Sequence, residues 1–149
     1  MCFCRGRDWC TGVMNIPVKI RAHHLLCMQG FQGYGYSDRF ANHLKEIIAC
    51  FRVNPDMLIQ AAIDCDQICS GCPHQMENRC NKDADADCRV KSMDSKILKC
   101  MGIKTDSIDR IQVMTERVNN TFISPAQLAD ICGDCQWTDK CTWYSSLKE

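Results

Sequence analysis

The chain has no excess charge of either sign: Lys+Arg and Asp+Glu both number 18 in 149 residues. That balance argues against a dedicated nucleic-acid or anionic-membrane surface. No apolar run reaches the roughly 18 residues that a membrane-spanning helix needs, and the N-terminus lacks the apolar core of a secretory signal. The expectation is a cytoplasmic protein with neither a nucleic-acid nor a membrane partner. No linker divides the chain, and no repeat is long enough for a solenoid. Also missing are a P-loop lysine, a Ser-His-Asp order and a pair of catalytic carboxylates that stands above background.

Cysteine, by contrast, is abundant, at 14 residues. A chain of this length can bury roughly 68–70% of its unfolded surface, so it does not need the staples of a small disulfide scaffold. Without an export signal the compartment is expected to be reducing, where thiols bind metals rather than pair.

Two segments read almost alike. Ile68-Cys69-Ser70-Gly71-Cys72 is followed by Cys80, and Ile131-Cys132-Gly133-Asp134-Cys135 by Cys141. A C-x2-C turn doubles back and aims two sulfurs at one point, and soft thiolates at that spacing select zinc or iron–sulfur iron over hard cations. A zinc site or a cubane cluster usually takes four ligands. Six sulfurs therefore fit one site with two left over, or two sites that each need one more ligand. Cys27, Cys65, Cys88, His23, His24 and His74 are the candidates. Cys27 leads because it lies one helical turn after His23, so the two share a helix face. Cys65-x3-Cys69-x2-Cys72 also has the spacing of radical S-adenosylmethionine enzymes, but too few strands follow it for that fold.

The two knuckles lie far apart with helices between them, each has a third cysteine, and Pro73 and Trp137 offer apolar cover. These features favour an iron–sulfur cluster, one 4Fe–4S or two, over zinc. Cys50 and Cys100 fall on helices and read as core packing.

The expected fold is α+β and mainly helical: a small single domain with two cysteine-rich metal-binding turns and few short strands. Pro17 to Arg21 alternates as a strand, and His23 to Gln29 reads as a short helix closed by Gly30. Ser37 is placed to cap a helix bearing Phe40, Leu44, Ile47, Ile48 and Phe51, which ends before Asn54-Pro55. Met57 to Ile63 reads as a strand. Val90 to Met101 reads as a helix ended at Gly102, and Ile108 to Val118 as another, ended by Asn119-Asn120. Ser124-Pro125 starts a short helix into the second knuckle. Residues 1–13 lack periodicity and read as a doubtful N-terminal extension, with translation starting at Met14 and a single domain over 14–149. Asp83, Asp85 and Asp87, with Asp94 at the twelfth position, only partly follow a calcium loop and read as a solvated acidic loop. The loop from Gly30 to Ser37 reads as a tight turn that could also seat a small-molecule ligand.

Arg21-Ala22-His23-His24-Leu25-Leu26-Cys27, the glycine- and tyrosine-rich loop after it, Ile68-Cys69-x2-Cys72-Pro73-His74 and Ile131-Cys132-x2-Cys135-x-Trp137 together resemble the family called domain of unknown function 1284. The resemblance spans Lys19 to Cys141. It implies a small bacterial or archaeal iron–sulfur-binding protein and no particular activity. The expected role is electron transfer or redox sensing with a protein partner. The alternatives are a zinc-stabilised binding module and a small metalloenzyme with an open iron site, with His23 or His24 as acid or base.

Overall fold

The structure is a computed structural model, and it describes residues 16–33, 37–77, 79–132 and 140–147. The doubtful extension, Tyr34 to Tyr36, Cys135 and Trp137 lie outside the described residues.

The sheet is built from the alternating segments near the start of the chain. Strand β1 (Val18–Arg21) pairs in parallel with β2 (Leu58–Ala62), with Val18 opposite Ile59 and Arg21 opposite Ala62. A parallel pair needs a crossover. Here it is made by helix α1 (Ala22–Cys27), a 3-10 turn over Met28–Gly30, and helix α2 (Asp38–Val53). Ser37 caps α2: its Oγ accepts from the Phe40 N–H at 3.1 Å. Phe40, Leu44, Ile47 and Phe51 bury the face their spacing announced.

After β2 come a 3-10 turn over Cys69–Gly71 and a small hairpin of β3 (Gln75–Met76) and β4 (Arg79–Cys80). Helix α3 (Ala86–Met101) follows and ends at Gly102 in the left-handed conformation. The segment after it departs from the sequence reading. Ile108 belongs not to a helix but to β5 (Ile108–Arg110), which pairs antiparallel with β2 to complete the order β1-β2-β5. Helix α4 starts at Ile111 and runs through Asn119-Asn120 to Thr121. Ile108 is apolar and in phase with Ile111 but is solvent-exposed; the ladder to β2 decides its state.

A 3-10 turn (Pro125–Leu128) leads into α5 (Ala129–Cys132), and α6 (Thr142–Ser146) closes the described chain. Gln127 Oε1 reaches back to accept from the Ser124 N–H at 3.0 Å, fixing that helix start. The domain is α+β, mainly helical, with few short strands, as the sequence predicts. No helix among the described residues is long and apolar enough to cross a membrane.

One core joins sheet and helices: Ile20 and Ile59 from the sheet, Leu25 and Leu26 from α1, Ile47 from α2, Ile97 from α3, Val118 from α4 and Leu128. Helix α1 lies at its centre, packed against α3 and α4. Ile59 is fully buried. Ile59→Ala should therefore cost about 2–5 kcal/mol through lost burial and the cavity left behind. Urea denaturation measures it, and a loss below about 1 kcal/mol would contradict this packing.

Candidate metal centre

Three segments of the chain meet here: the end of β1, the first turn of α1, and the loop after β2. Arg21, the last residue of β1, is 1% exposed. Its Nε donates to Asp94 Oδ2 at 2.7 Å, one Nη to the Ile63 carbonyl at 2.7 Å, and the other approaches Cys65 Sγ at 3.9 Å. Burial works against its charge, but the Asp94 carboxylate prevails and holds the guanidinium firmly protonated.

Two carboxylates organise the rest. Asp94, 0% exposed, accepts on Oδ1 from both the backbone N–H of His23 (2.9 Å) and its Nδ1 (2.7 Å). Asp66, 1% exposed, accepts on Oδ2 from the Arg21 N–H (2.6 Å) and His24 Nδ1 (2.7 Å), and on Oδ1 from the Cys69 N–H (2.8 Å). Burial alone would raise both acids. For Asp66, His24 and the backbone donors outweigh it; for Asp94, His23 and Arg21 do. Both stay below the usual carboxylate range. Burial, then the neighbouring His24, pulls the His23 imidazole below its ordinary value, against the raising effect of Asp94.

The first knuckle sits on this network. The Cys65 and Cys69 thiols lie next to each other beside Arg21, close enough for each to influence the other's proton. The neighbouring Cys69 first, and then Arg21, eases Cys65 down to about 7, while Cys65 and burial push Cys69 up. Cys72 lies within electrostatic reach of both Cys80 and Cys65, and burial raises its thiol. The hairpin accounts for this: Gln75 pairs with Cys80, and the Gln75 N–H donates to the Cys72 carbonyl at 3.3 Å. Asp87 fixes Cys80 by accepting its N–H at 3.0 Å.

From α2, His43 clamps the turn. Its Nε2 lies 2.7 Å from the Gln67 carbonyl and 3.1 Å from Ser70 Oγ. A Cβ on Gly71 would stand 2.7 Å from the His43 ring, so only glycine fits between the two cysteines there.

His24, Asp66 and Cys69 offer donor atoms that all lie within 4.8 Å of one another, a group chemically able to hold a metal ion. The sequence named His24 and Cys69 for such a role but not Asp66.

The other predicted ligands lie elsewhere. Cys27 is exposed at the far end of α1. Cys141 Sγ packs against Gly30, in the turn directly after Cys27, and accepts the Tyr144 N–H at 3.4 Å. Cys132 is half-buried at the end of α5. Cys141 is thus brought to the turn after the C-terminal end of α1, and Cys69 to its N-terminal end through Asp66. His74 is half-buried at the start of the hairpin, and Cys88 is exposed.

Three expectations need correction. Cys100 is exposed on α3 rather than packed in the core. Cys50 is buried as expected but disulfide-bonded rather than a free thiol. Asp87 does not belong to a solvated acidic loop: it lies two helical turns from Asp94 on one face of α3, and both are buried against the site.

Fold and site together define a small α+β protein whose buried cysteine, histidine and aspartate groups suit a metal. The family model "Protein of unknown function (DUF1284)" matches residues 35–141, and the chain belongs to that family. No curated protein and no solved structure matches the chain.

Removing Arg21 would leave Asp94 as an uncompensated buried charge. Arg21→Met should cost about 3–5 kcal/mol in urea denaturation, and a loss under about 1 kcal/mol would show the pair to be dispensable. The pKa shifts of Asp66, Asp94 and His23 act on stability in one direction. A carboxyl with a depressed folded pKa loses its contribution as pH falls through that value, and a His held neutral in the fold gains its proton on unfolding once pH drops below about 6.5. The urea midpoint should therefore fall as pH drops below about 6.5, through His23, and fall further below about pH 4, through Asp66 and Asp94; the second loss should be smaller in Asp94→Asn. A midpoint independent of pH would contradict the network.

Proposed function

We propose that this protein holds an iron–sulfur cluster on Cys65, Cys69, Cys72 and Cys80 and works in electron transfer or redox sensing. The observation that carries the proposal is that Cys65, Cys69, Cys72 and Cys80 all lie on the one loop and hairpin after β2, with Cys65 beside Cys69 and Cys72 within electrostatic reach of Cys80. One buried guanidinium, Arg21, stands among three buried carboxylates there, Asp66, Asp87 and Asp94. Thiolates add further negative charge, and a bound cationic centre would offset it. Four cysteine sulfurs are the usual complement of a cubane cluster. Backbone N–H groups held by Asp66 and Asp87 orient Cys69 and Cys80, the kind of outer support that tunes a metal site.

Cys27, Cys132, Cys135 and Cys141 are the proposed ligand set of a second cluster. The protein would work in a reducing compartment such as the cytoplasm, with a redox protein as partner. A second reading is a single zinc ion with mixed ligands, favoured by the close His24–Asp66–Cys69 group.

Serine variants test the assignment. Cys65→Ser and Cys72→Ser should each lower bound iron and sulfide and reduce the melting temperature, because ligation energy is folding energy. The exposed Cys88→Ser should do neither. Full metal content in both Cys65→Ser and Cys72→Ser would refute the four-thiol site.

A further inference from the structure

The two histidines at the start of α1 have a feature that the thiol site does not use. Each has its Nδ1 tied to a buried carboxylate at 2.7 Å, His23 to Asp94 and His24 to Asp66. An ionised carboxylate only accepts, so each neutral ring keeps its proton on Nδ1 and presents Nε2 with a free lone pair. Among the described residues neither Nε2 takes a hydrogen-bond partner. No buried side-chain nitrogen or oxygen among the described residues lacks one either, so both Nε2 atoms face accessible space. The ring centroids lie 4.1 Å apart, tilted by 53°. A carboxylate on one ring nitrogen, leaving the other outward, is the arrangement that orients metal-binding histidines and raises their basicity.

We propose that Nε2 of His23 and Nε2 of His24 together bind one divalent transition-metal ion of the zinc class, at a site distinct from the thiol centre. Water or a ligand from solvent completes its coordination. The two carboxylates behind the rings, only one of whose charges Arg21 balances, favour a cation there. Imidazole donors of this kind suit zinc, copper, nickel and cobalt rather than magnesium or calcium. The site rests on the cluster reading, because the zinc reading would share His24 with Asp66 and Cys69; metal and sulfide counts on the same chain keep the two failures distinguishable.

The test uses the full chain as purified, with its thiol centre loaded. Titration with cobalt(II) should add one ion per chain with visible d–d bands and no new sulfur-to-cobalt charge-transfer band. His23→Asn and His24→Asn should each abolish that ion, and Asp94→Asn should weaken it about 10–100-fold. Iron and sulfide counts on each variant separate loss of the imidazole-bound ion from loss of the thiol centre. On the unmutated chain, copper(II) loading followed by pulsed electron paramagnetic resonance should show two equatorial imidazoles, a readout independent of whether any variant folds. Cobalt binding with a thiolate charge-transfer band, cobalt binding unchanged in both His variants, or copper without imidazole coupling would each overturn the proposal.

Discussion

The buried ion pair between Arg21 and Asp94 holds the rest of the site in place. Arg21 ends the first strand, and Asp94 sits two turns into α3, 73 residues later in the chain. Neither is reached by solvent, so each would be costly alone, and together they fix the sheet to the helix. The same Asp94 orients His23, the Arg21 backbone is held by Asp66, and Asp66 in turn orients His24 and Cys69. A strand end, a helix start, a cysteine turn and a distant helix are thus locked through two carboxylates. In a network this well satisfied, changing one member disturbs all of them.

That rigidity bears on chemistry at the site. Thiolates and imidazoles bind metal well only when their directions are set beforehand. Here a backbone N–H bond positions Cys69, another positions Cys80, and the His43 ring closes over Gly71 so the knuckle cannot slacken. The short helix α1 places two kinds of donor at its two ends: imidazoles beside the first cysteine set, and Cys27 beside the turn that meets Cys141.

Much of this was legible in the sequence. The helical spacing of Phe40 to Phe51 and of Val90 to Met101, and the Ser37 cap, all describe local structure, and local periodicity reports it directly. Ile108 misled because a three-residue strand can share the phase of the helix that follows it, and only pairing with β2 distinguishes the two. The cysteine spacing identified Cys69, Cys72 and Cys80 as chemistry. It did not single out Cys65, whose place beside Cys69 depends on how the chain turns after β2. Asp66 carried no motif, and the motifs that held Arg21 and Asp94 said nothing of their pairing, because the meaning of all three lies in contacts across 42 to 73 residues. One signal was available: Asp87 and Asp94 are spaced to share a helix face with the apolar Ile97 and Leu98 nearby, which hinted at buried rather than solvated acids.

The most direct measurement is anaerobic purification followed by an absorbance spectrum and counts of iron, acid-labile sulfide and zinc on one sample. A four-thiol cluster predicts a brown protein with about four irons and four sulfides per chain, or about twice that if the second set is also filled. A colourless protein that carries zinc and no sulfide would contradict it.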